Sequence, residues 1–216
     1  MTHTPEIVVA GAGLAALELV SELRELAGDH VHITAIAPDP EPLLGLADTL
    51  IPGFVTRVDP PRRRVLLRAG GTVGYDTLVL APGARRLPAF EDALHLGIDD
   101  LTVVLAEIVT GAVGTVAFVA PTSAGWRSEL EEAERLAARL GADVTVPAED
   151  ADRVVSLPLL RGPRIEGIPT VAPYGFIAVD AHGRVAEDVY ALGDATEAPV
   201  STADVAARVA PVLTGV

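Results

Sequence analysis

The sequence contains no cysteine, lysine, asparagine or glutamine. Without cysteine there is no disulfide, no thiolate nucleophile and no cysteine-held iron–sulfur cluster. Without lysine there is no Schiff base and no lysine to grip a phosphate in a Walker-type loop. Without asparagine there is no site for an Asn-linked glycan. Chemistry that depends on any of these side chains is therefore excluded.

Positive charge and aromatic side chains are also scarce. Aromatics make up 4% of the chain, and the formal net charge is −14 although the chain has 16 arginines. This charge argues against nucleic acid or an anionic membrane as the main partner, because phosphates would be repelled. A bound dinucleotide remains compatible, since backbone N–H groups at a helix start hold a pyrophosphate without basic side chains.

No apolar run reaches the length of a membrane span. The run that starts at Ile7 is interrupted by two glycines and ends at Glu18. The amino-terminal residues lack the charged and apolar stretches of a signal peptide, so we expect a cytoplasmic protein. A chain of 216 residues is long enough for one generous domain or two small ones.

The first forty residues predict one βαβ unit. The segment at residues 6–10, apolar without interruption from Ile7 onward, is typical of a strand buried on both faces. A glycine turn, an apolar helical pattern and a second apolar run at residues 31–37 follow. We therefore predict a doubly wound, Rossmann-like α/β fold with a parallel sheet. Residues 38–52 read as a loop, and residues 55–58 and 64–68 as a small β-hairpin insertion.

A second, shorter βαβ unit is predicted later in the chain. It would comprise a strand at residues 115–120, a helix ending near Gly141 and a parallel strand at residues 142–146. The predicted domains are therefore a discontinuous one, residues 1–112 and 152–216, and a reduced unit, residues 113–151.

A glycine-rich turn joins the first strand to the first helix. Gly11-Ala12-Gly13-Leu14-Ala15-Ala16 places Gly11, Gly13 and Ala16 at the spacing of a dinucleotide fingerprint. Gly11 permits the tight turn, Gly13 lets a pyrophosphate approach the backbone, and Ala16 keeps the helix close to the strand. A packing turn of another α/β protein is the alternative. The motif alone does not separate FAD from NAD.

A carboxylate that accepts the ribose hydroxyls is expected at the tip of the second strand. Ala37 occupies that tip, so Asp39 is the candidate. An ordinary loop aspartate is an equally good interpretation of Asp39.

Two later segments favour flavin. Residues 75–84 carry a strand into Ala81-Pro82-Gly83, and residues 176–196 carry a strand into Gly193-Asp194. Glycine after a buried strand lets the backbone approach a cofactor closely. The aspartate can accept hydrogen bonds from ribityl hydroxyls.

The three segments together resemble the pyridine nucleotide–disulfide oxidoreductase superfamily, in particular its type II NADH dehydrogenase and sulfide:quinone oxidoreductase branch. The resemblance implies that the fingerprint holds the FAD pyrophosphate and that Gly193 and Asp194 bind the ribityl–phosphate region. It further implies that the helix start at Ser201 and Thr202 faces the flavin and that the Val55 backbone meets the adenine. The segment around Ala81 and Gly83 would return the chain to the FAD domain.

The sequence also departs from this family. Residues 41–53 are shortened, and the segment after the strand at 115–120 lacks the glycine fingerprint that would seat NAD(P)H. NAD(P)H is therefore a poorly supported second cofactor. Without cysteine, the sulfide-oxidising and disulfide-reducing activities are excluded.

Glu132 is the candidate catalytic residue, because family members carry a helix glutamate near the flavin and nicotinamide. Such a carboxylate could relay protons to a reduced flavin. The alternative is a solvated helix face, since Glu132 is one of several glutamates on this helix, with arginines nearby.

Three functions stay open. The first is an FAD-dependent oxidoreductase that passes electrons from NAD(P)H or a similar small donor to a quinone or small acceptor. The second is a minimal FAD or dinucleotide-binding module without turnover. The third is a reduced or engineered scaffold that has lost activity. A homodimer is one arrangement that would cover apolar surface left by the shortened chain.

Overall fold

The structure, a computed structural model, describes residues 3–97, 99, 101–121, 127–144 and 146–210. The chain divides into two compact units. The first comprises Met1–Ala84 and Gly162–Val216, and the second is the intervening segment Arg85–Arg161.

The helices and strands of the described residues follow one another in this chain order: β1 Glu6–Ala10, α1 Leu14–Ala27, β2 His32–Ala37, β3 Thr49–Pro52, β4 Val55–Asp59, β5 Arg64–Leu67, β6 Thr72–Gly74, β7 Thr77–Leu80, β8 Arg85–Leu87, β9 Leu94–His95, α2 Thr102–Val109, β10 Val116–Val119, α3 Arg127–Arg139, β11 Arg153–Ser156, β12 Leu159–Arg161, β13 Thr170–Val171, β14 Phe176–Ile177, β15 Arg184–Ala186, β16 Val189–Ala191 and α4 Thr202–Val209.

A six-stranded sheet is the centre of the first unit, with the strand order β15-β16-β7-β1-β2-β3. The strands from β16 to β3 are parallel, and β15 pairs antiparallel with β16 at one edge. Residues Ile7, Val8 and Val9 of β1 are completely buried because both faces of the sheet are covered. The apolar run of β1 follows from this burial, and the predicted α/β fold with a parallel sheet is confirmed.

One face of the sheet is covered by helices. Ile7 and Val9 of β1 belong to one buried cluster with Leu19 of α1 and Val205 of α4. Because side chains alternate along a strand, the intervening residues of β1 point to the opposite face. The helices α1 and α4 thus share a single core with the sheet.

The opposite face is covered by an antiparallel sheet of β4, β5 and β6. Val8 of β1 and Leu80 of β7 share a second buried cluster with Val58 and Val65 of this small sheet. The predicted hairpin is confirmed, with β6 added as a third strand. The main sheet therefore lies between a helical layer and an antiparallel β layer.

The prediction of a loop over residues 38–52 is wrong at its end. Thr49–Pro52 forms the edge strand β3, which runs parallel to β2 from Thr34↔Thr49 to Ala37↔Pro52. Proline is tolerated at this place because β3 lies at the edge of the sheet and Pro52 is its last residue.

Arg24 of α1 holds the connection between β2 and β3. Its guanidinium donates to Leu46 O at 2.6 Å and to the Asp48 carboxylate at 2.5 Å. Asp48 also accepts the Ile33 N–H at 2.7 Å. Burial raises the pKa of Asp48, but the Ile33 and Arg24 hydrogen bonds and the charge of Arg24 outweigh it, and the pKa is lowered overall. This ion pair aligns β3 with β2 although no α-helix joins them.

The second unit contains a parallel three-stranded sheet with the order β10-β11-β9. The predicted strand at residues 142–146 is wrong for its described residues, which carry only an isolated bridge between Asp143 and Thr115. The parallel partner of β10 is β11 instead. Asp152 explains this pairing, because its carboxylate accepts the N–H groups of Gly114 and Thr115, each at 2.9 Å, and so aligns the starts of β10 and β11.

The two units differ in extent from the predicted domains. Residues 85–112 and 152–161 belong to the second unit. There β9 pairs with β11, and α2 shares a core with the three-stranded parallel sheet of β9, β10 and β11. That core includes Val104 and Ile108 of α2 together with Val116 and Val155. Residues 122–125, part of the segment where a second glycine fingerprint would stand, lie outside the described residues.

Of the helices in the described part of the chain, none combines the length and apolar character that crossing a bilayer requires. The same residues bring together no group of three or more His, Asp or Glu side chains that could hold a metal ion.

Candidate functional site

The carboxyl ends of three parallel strands lie side by side in the first unit. Ala81, which follows β7, donates its N–H to Ala10 O of β1 at 2.8 Å. Leu192, which follows β16, donates to Leu80 O of β7 at 3.1 Å. From β1 the chain proceeds to β2 on one side, whereas β7 and β16 lie on the other. Ligands of open parallel sheets bind at such a change of direction.

We call the residues that follow these three strands the cradle: residues 11–16, 81–83 and 193–194. The structure brings all three segments together at the carboxyl ends of the parallel strands. No cradle residue carries a positive side chain, and Asp194 is its one charged group. Any anion held here must therefore be bound by the backbone.

Gly11 is required by a close approach of two chain segments. Its φ is +138°, and a Cβ at this position would lie 2.0 Å from the carbonyl oxygen of Ala81. Its N–H donates to Ile36 O of β2 at 2.9 Å. Gly11 thus sits between the ends of β2 and β7, and a side chain would push β7 away.

Gly13 is different, because it faces open space. It is the N-cap of α1, and a Cβ built on it meets nothing within 4 Å. The first turn of α1 contains no acidic residue, and no side chain caps it. The N–H groups of a helix start have no intrahelical acceptor, and the helix dipole adds partial positive charge there. This helix start is therefore suited to an anion such as a pyrophosphate.

The remaining residues of the turn differ in exposure. Ala16 is fully buried in the core between α1 and the sheet, which fits its predicted packing role. Ala12 and Ala15 are half-buried, and Leu14 is 72% exposed.

Gly193 brings the third segment against the first. Its φ is +70°, and a Cβ built on it would lie 2.9 Å from the Cβ of Ala15. The turn after β16 therefore contacts the first turn of α1 directly. The fingerprint and the Gly193-Asp194 pair, about 180 positions apart in the chain, form one local site.

Asp194 is exposed at this junction. Among the described residues, none donates a hydrogen bond to its carboxylate. The hydroxyl of Ser201, which caps the following helix, accepts the Asp204 N–H and is not bound to Asp194. The Asp194 carboxylate is thus available to accept hydroxyl groups of a ligand.

Thr196 is a supporting residue that sequence reasoning missed. Its side chain is buried, and its hydroxyl shares one proton between two carbonyl acceptors, Gly193 O at 2.9 Å and Ala198 O at 2.8 Å. These bonds close the turn that carries Asp194. A threonine three positions after a turn glycine is the local signal that could have identified it.

The middle segment of the cradle begins buried and ends open. Ala81 is buried, Pro82 is exposed, and Gly83 has a φ of +71° with nothing within 4 Å of a Cβ built on it. A φ of this sign suits glycine, and the open surroundings of Gly83 leave room beside the end of β7.

Asp39 and Val55 lie near the same edge. Asp39 follows β2, is exposed, and accepts the Glu41 N–H at 3.2 Å through one of its oxygens. Val55 is half-buried at the start of β4, two residues after Gly53, whose N–H donates to Ala37 O at 2.8 Å. Both residues thus flank the end of β2, where the sequence predicts a ribose and an adenine to bind.

The start of α4 lies beside α1. Ser201 is its N-cap and accepts the Asp204 N–H at 3.3 Å, and Thr202 Oγ1 donates to Glu18 of α1 at 3.3 Å. Asp204 also pairs with His182 at 2.9 Å. Thr202 therefore joins the start of α4 to α1, the helix that begins in the cradle, whereas Ser201 caps its own helix.

Glu132 lies in the second unit, on α3, with an exposed side chain. Its catalytic role stays a prediction.

Tyr75 precedes β7 and so lies at the amino end of that strand, away from the cradle. It is buried in the core beneath the antiparallel sheet, and its hydroxyl has no hydrogen-bond partner among the described residues. Burial raises the pKa of Tyr75 to about 12; the charges of Asp188 and Asp59 raise it too, against the opposing charge of Arg63. Tyr75 is therefore a neutral packing residue.

Comparison with known proteins shows likeness in structure only. No protein-family model matches the sequence, and no curated protein matches it. A sulfide:quinone oxidoreductase from Aquifex aeolicus is similar with a TM-score of 0.67 at 14% identity, over 97% of this chain and 76% of that chain.

Two other solved structures give the same result. A ferredoxin reductase from Rhodopseudomonas palustris has a TM-score of 0.60 at 19% identity, over 98% of this chain and 76% of that one. A pyridine nucleotide-disulfide family oxidoreductase from Enterococcus faecalis has a TM-score of 0.61 at 16% identity, over 98% and 69%. At these identities the comparisons establish the fold that the sequence resemblance implies.

Proposed function

We propose that this protein is a flavoprotein that binds FAD in the cradle and acts as an FAD-dependent oxidoreductase. One observation carries the proposal: the uncapped start of α1 at Gly13 and the exposed carboxylate of Asp194 are brought together by the contact between Gly193 and Ala15. A diphosphate and a polyhydroxyl chain, joined in one ligand, match these two neighbouring features.

The residues present fit such a ligand. The open space at Gly13 and the uncapped helix start would receive the pyrophosphate. Asp194 would accept hydroxyl groups of the ribityl chain. Asp39 and the Val55 backbone would bind the adenosine end, and the turn at Ala81-Pro82-Gly83 would line the ligand on its other side.

The choice of a flavin nucleotide rests on the order of the three motifs, which resembles the pyridine nucleotide–disulfide oxidoreductases, and on the similar fold of such oxidoreductases. Bound FAD supplies the electron-transfer chemistry. By the same resemblance the donor is NAD(P)H or a similar small molecule, and the acceptor is a quinone or a small electron carrier. Glu132 would hold a proton for this exchange.

A second candidate function is a module that binds FAD without turnover. The sequence of the second unit favours it, because the strand β10 leads into Ala120 and Pro121 rather than into a glycine fingerprint. A nicotinamide nucleotide would find no Gly-x-Gly-x-x-Gly turn there.

FAD binding is tested on the purified protein. We expect a yellow preparation with a flavin absorption band, and flavin released on denaturation. Gly13→Val should lose the flavin while the far-ultraviolet circular dichroism stays unchanged, because a Cβ at this position meets no protein atom within 4 Å. Gly74→Val is the matched control, since Gly74 lies exposed in β6 and valine suits a strand. Flavin retained by Gly13→Val would refute the cradle.

Turnover is tested by adding NADH without oxygen and following the flavin absorption. Bleaching supports the oxidoreductase, and an unchanged spectrum supports the binding module. If bleaching occurs, Glu132→Gln should slow it, whereas Glu131→Gln, another exposed carboxylate of α3, should not. Equal rates in both variants would remove Glu132 from the mechanism.

A further inference from the structure

The second unit contains an apolar cavity of about 120 Å³. It lies between α2, α3 and the small parallel sheet. The described residues that line it are all alanine, valine, leucine, isoleucine or phenylalanine. Val104, Ile108 and Val155 are buried in its wall, and Leu136 of α3 is 37% exposed at its rim. The cavity therefore reaches the protein surface along α3.

Small side chains on α3 account for this space. Ala133 and Ala137 line the cavity with single methyl groups, opposite the longer side chains of α2. Protein interiors are normally packed so tightly that few voids exceed a water molecule. A void of this size therefore leaves the surrounding hydrocarbon groups without contacts that a ligand could restore.

We propose that this cavity binds a small, uncharged, apolar molecule of about the size of a benzene ring. Among the described side chains that line the cavity, none offers a hydrogen bond, so water gains little from contact with them. An apolar cavity of about 150 Å³ is known to stay dry and to admit benzene or xenon. A charged or strongly polar ligand would lose its hydration without compensation. The site is thus chemically distinct from the cradle.

The proposal is tested by titrating the full chain with benzene and following methyl groups by NMR. We expect the methyl resonances of Val104, Ile108 and Val155 to shift in a saturable manner. Those of Val205 and Val209, in the core below α4, should stay unchanged. Pyridine, which has nearly the same shape but carries a hydrogen-bond acceptor, should bind more weakly. Shifts spread evenly over both cores, or none, would overturn the proposal.

A pair of variants tests the position of the ligand. Ala133→Leu places a larger side chain in the cavity and should abolish the benzene-induced shifts and any benzene-induced rise in the unfolding temperature. Ala138→Leu, on the exposed side of the same helix, should leave both intact. Benzene binding that survives in Ala133→Leu would show that the ligand lies elsewhere. If Ala133→Leu does not fold, the position of the ligand is determined from the benzene-induced methyl shifts of the unsubstituted protein alone.

Discussion

Replacing Gly11 by alanine tests the idea that the two fingerprint glycines have different tasks. At Gly11 the backbone has a φ of +138°, and a Cβ would lie 2.0 Å from Ala81 O. An unfavourable backbone conformation costs about 1–3 kcal/mol. Overpacking adds about 1–3 kcal/mol, because the Ala81 backbone is held to β1 by a hydrogen bond and cannot yield freely. We therefore expect Gly11→Ala to lower the free energy of unfolding by about 2–6 kcal/mol.

Gly13→Ala is the matched comparison. Gly13 has an extended conformation with a φ of −76°, and its Cβ would meet nothing within 4 Å. The same substitution should therefore cost less than about 1 kcal/mol. A loss of 2–6 kcal/mol is a large share of a typical stability of about 5–15 kcal/mol, so Gly11→Ala should be partly unfolded or poorly expressed.

Urea unfolding followed by circular dichroism measures both variants. The transition of the first unit should move to lower urea in Gly11→Ala and stay nearly unchanged in Gly13→Ala. FAD binding should fall in both, in the first through loss of the fold and in the second through the blocked helix start. Equal losses of stability in the two variants would refute the division into a packing glycine and a binding glycine.

Three further predictions concern single side chains. Asp194→Ala should weaken FAD binding by about 1–3 kcal/mol without loss of stability, as measured by titration and thermal unfolding, because the lost carboxylate has no described protein partner. The pKa of Asp48 is lowered in the folded state, so its stabilising effect is present above about pH 4 and is lost as the pH falls through the folded pKa. In Asp48→Asn the free energy of unfolding should therefore fall less steeply as the pH is lowered below about 4. An unchanged pH dependence would contradict this. His95→Leu should destabilise the second unit by about 2–3 kcal/mol, because the buried His95 Nε2 accepts the N–H groups of Ala89 and Phe90. A urea transition unchanged in that unit would show that water replaces the imidazole.

Local patterns in the sequence were sufficient for the elements that carry the cradle. The apolar run at β1, the glycine turn and the helix that follows are each specified by neighbouring residues, and the structure contains all three. The strand before Ala81 and the strand before Gly193 were found for the same reason. The catalytic role of Glu132, the bound nucleotide and a homodimer stay predictions.

The errors share one cause, which is that long-range partners decide weak segments. Residues 49–52 contain a proline and read as a loop, but pairing with β2 and the Arg24–Asp48 contact make them a strand. Residues 142–146 have an apolar pattern, yet β11 takes the place beside β10 because Asp152 binds the N–H groups at the start of that strand. Local propensity is a weak guide where such contacts compete.

The sequence by itself determined the chemistry that this chain can offer: no thiol, no lysine, and glycines followed by a helix start. These follow from residue type and spacing, which need no partner. Only the tertiary structure decided which group crowds Gly11, the carbonyl oxygen of Ala81, because that residue is distant in the chain. It also decided that Gly193 touches Ala15, because a contact between segments so distant in the chain depends on the order of strands in the sheet.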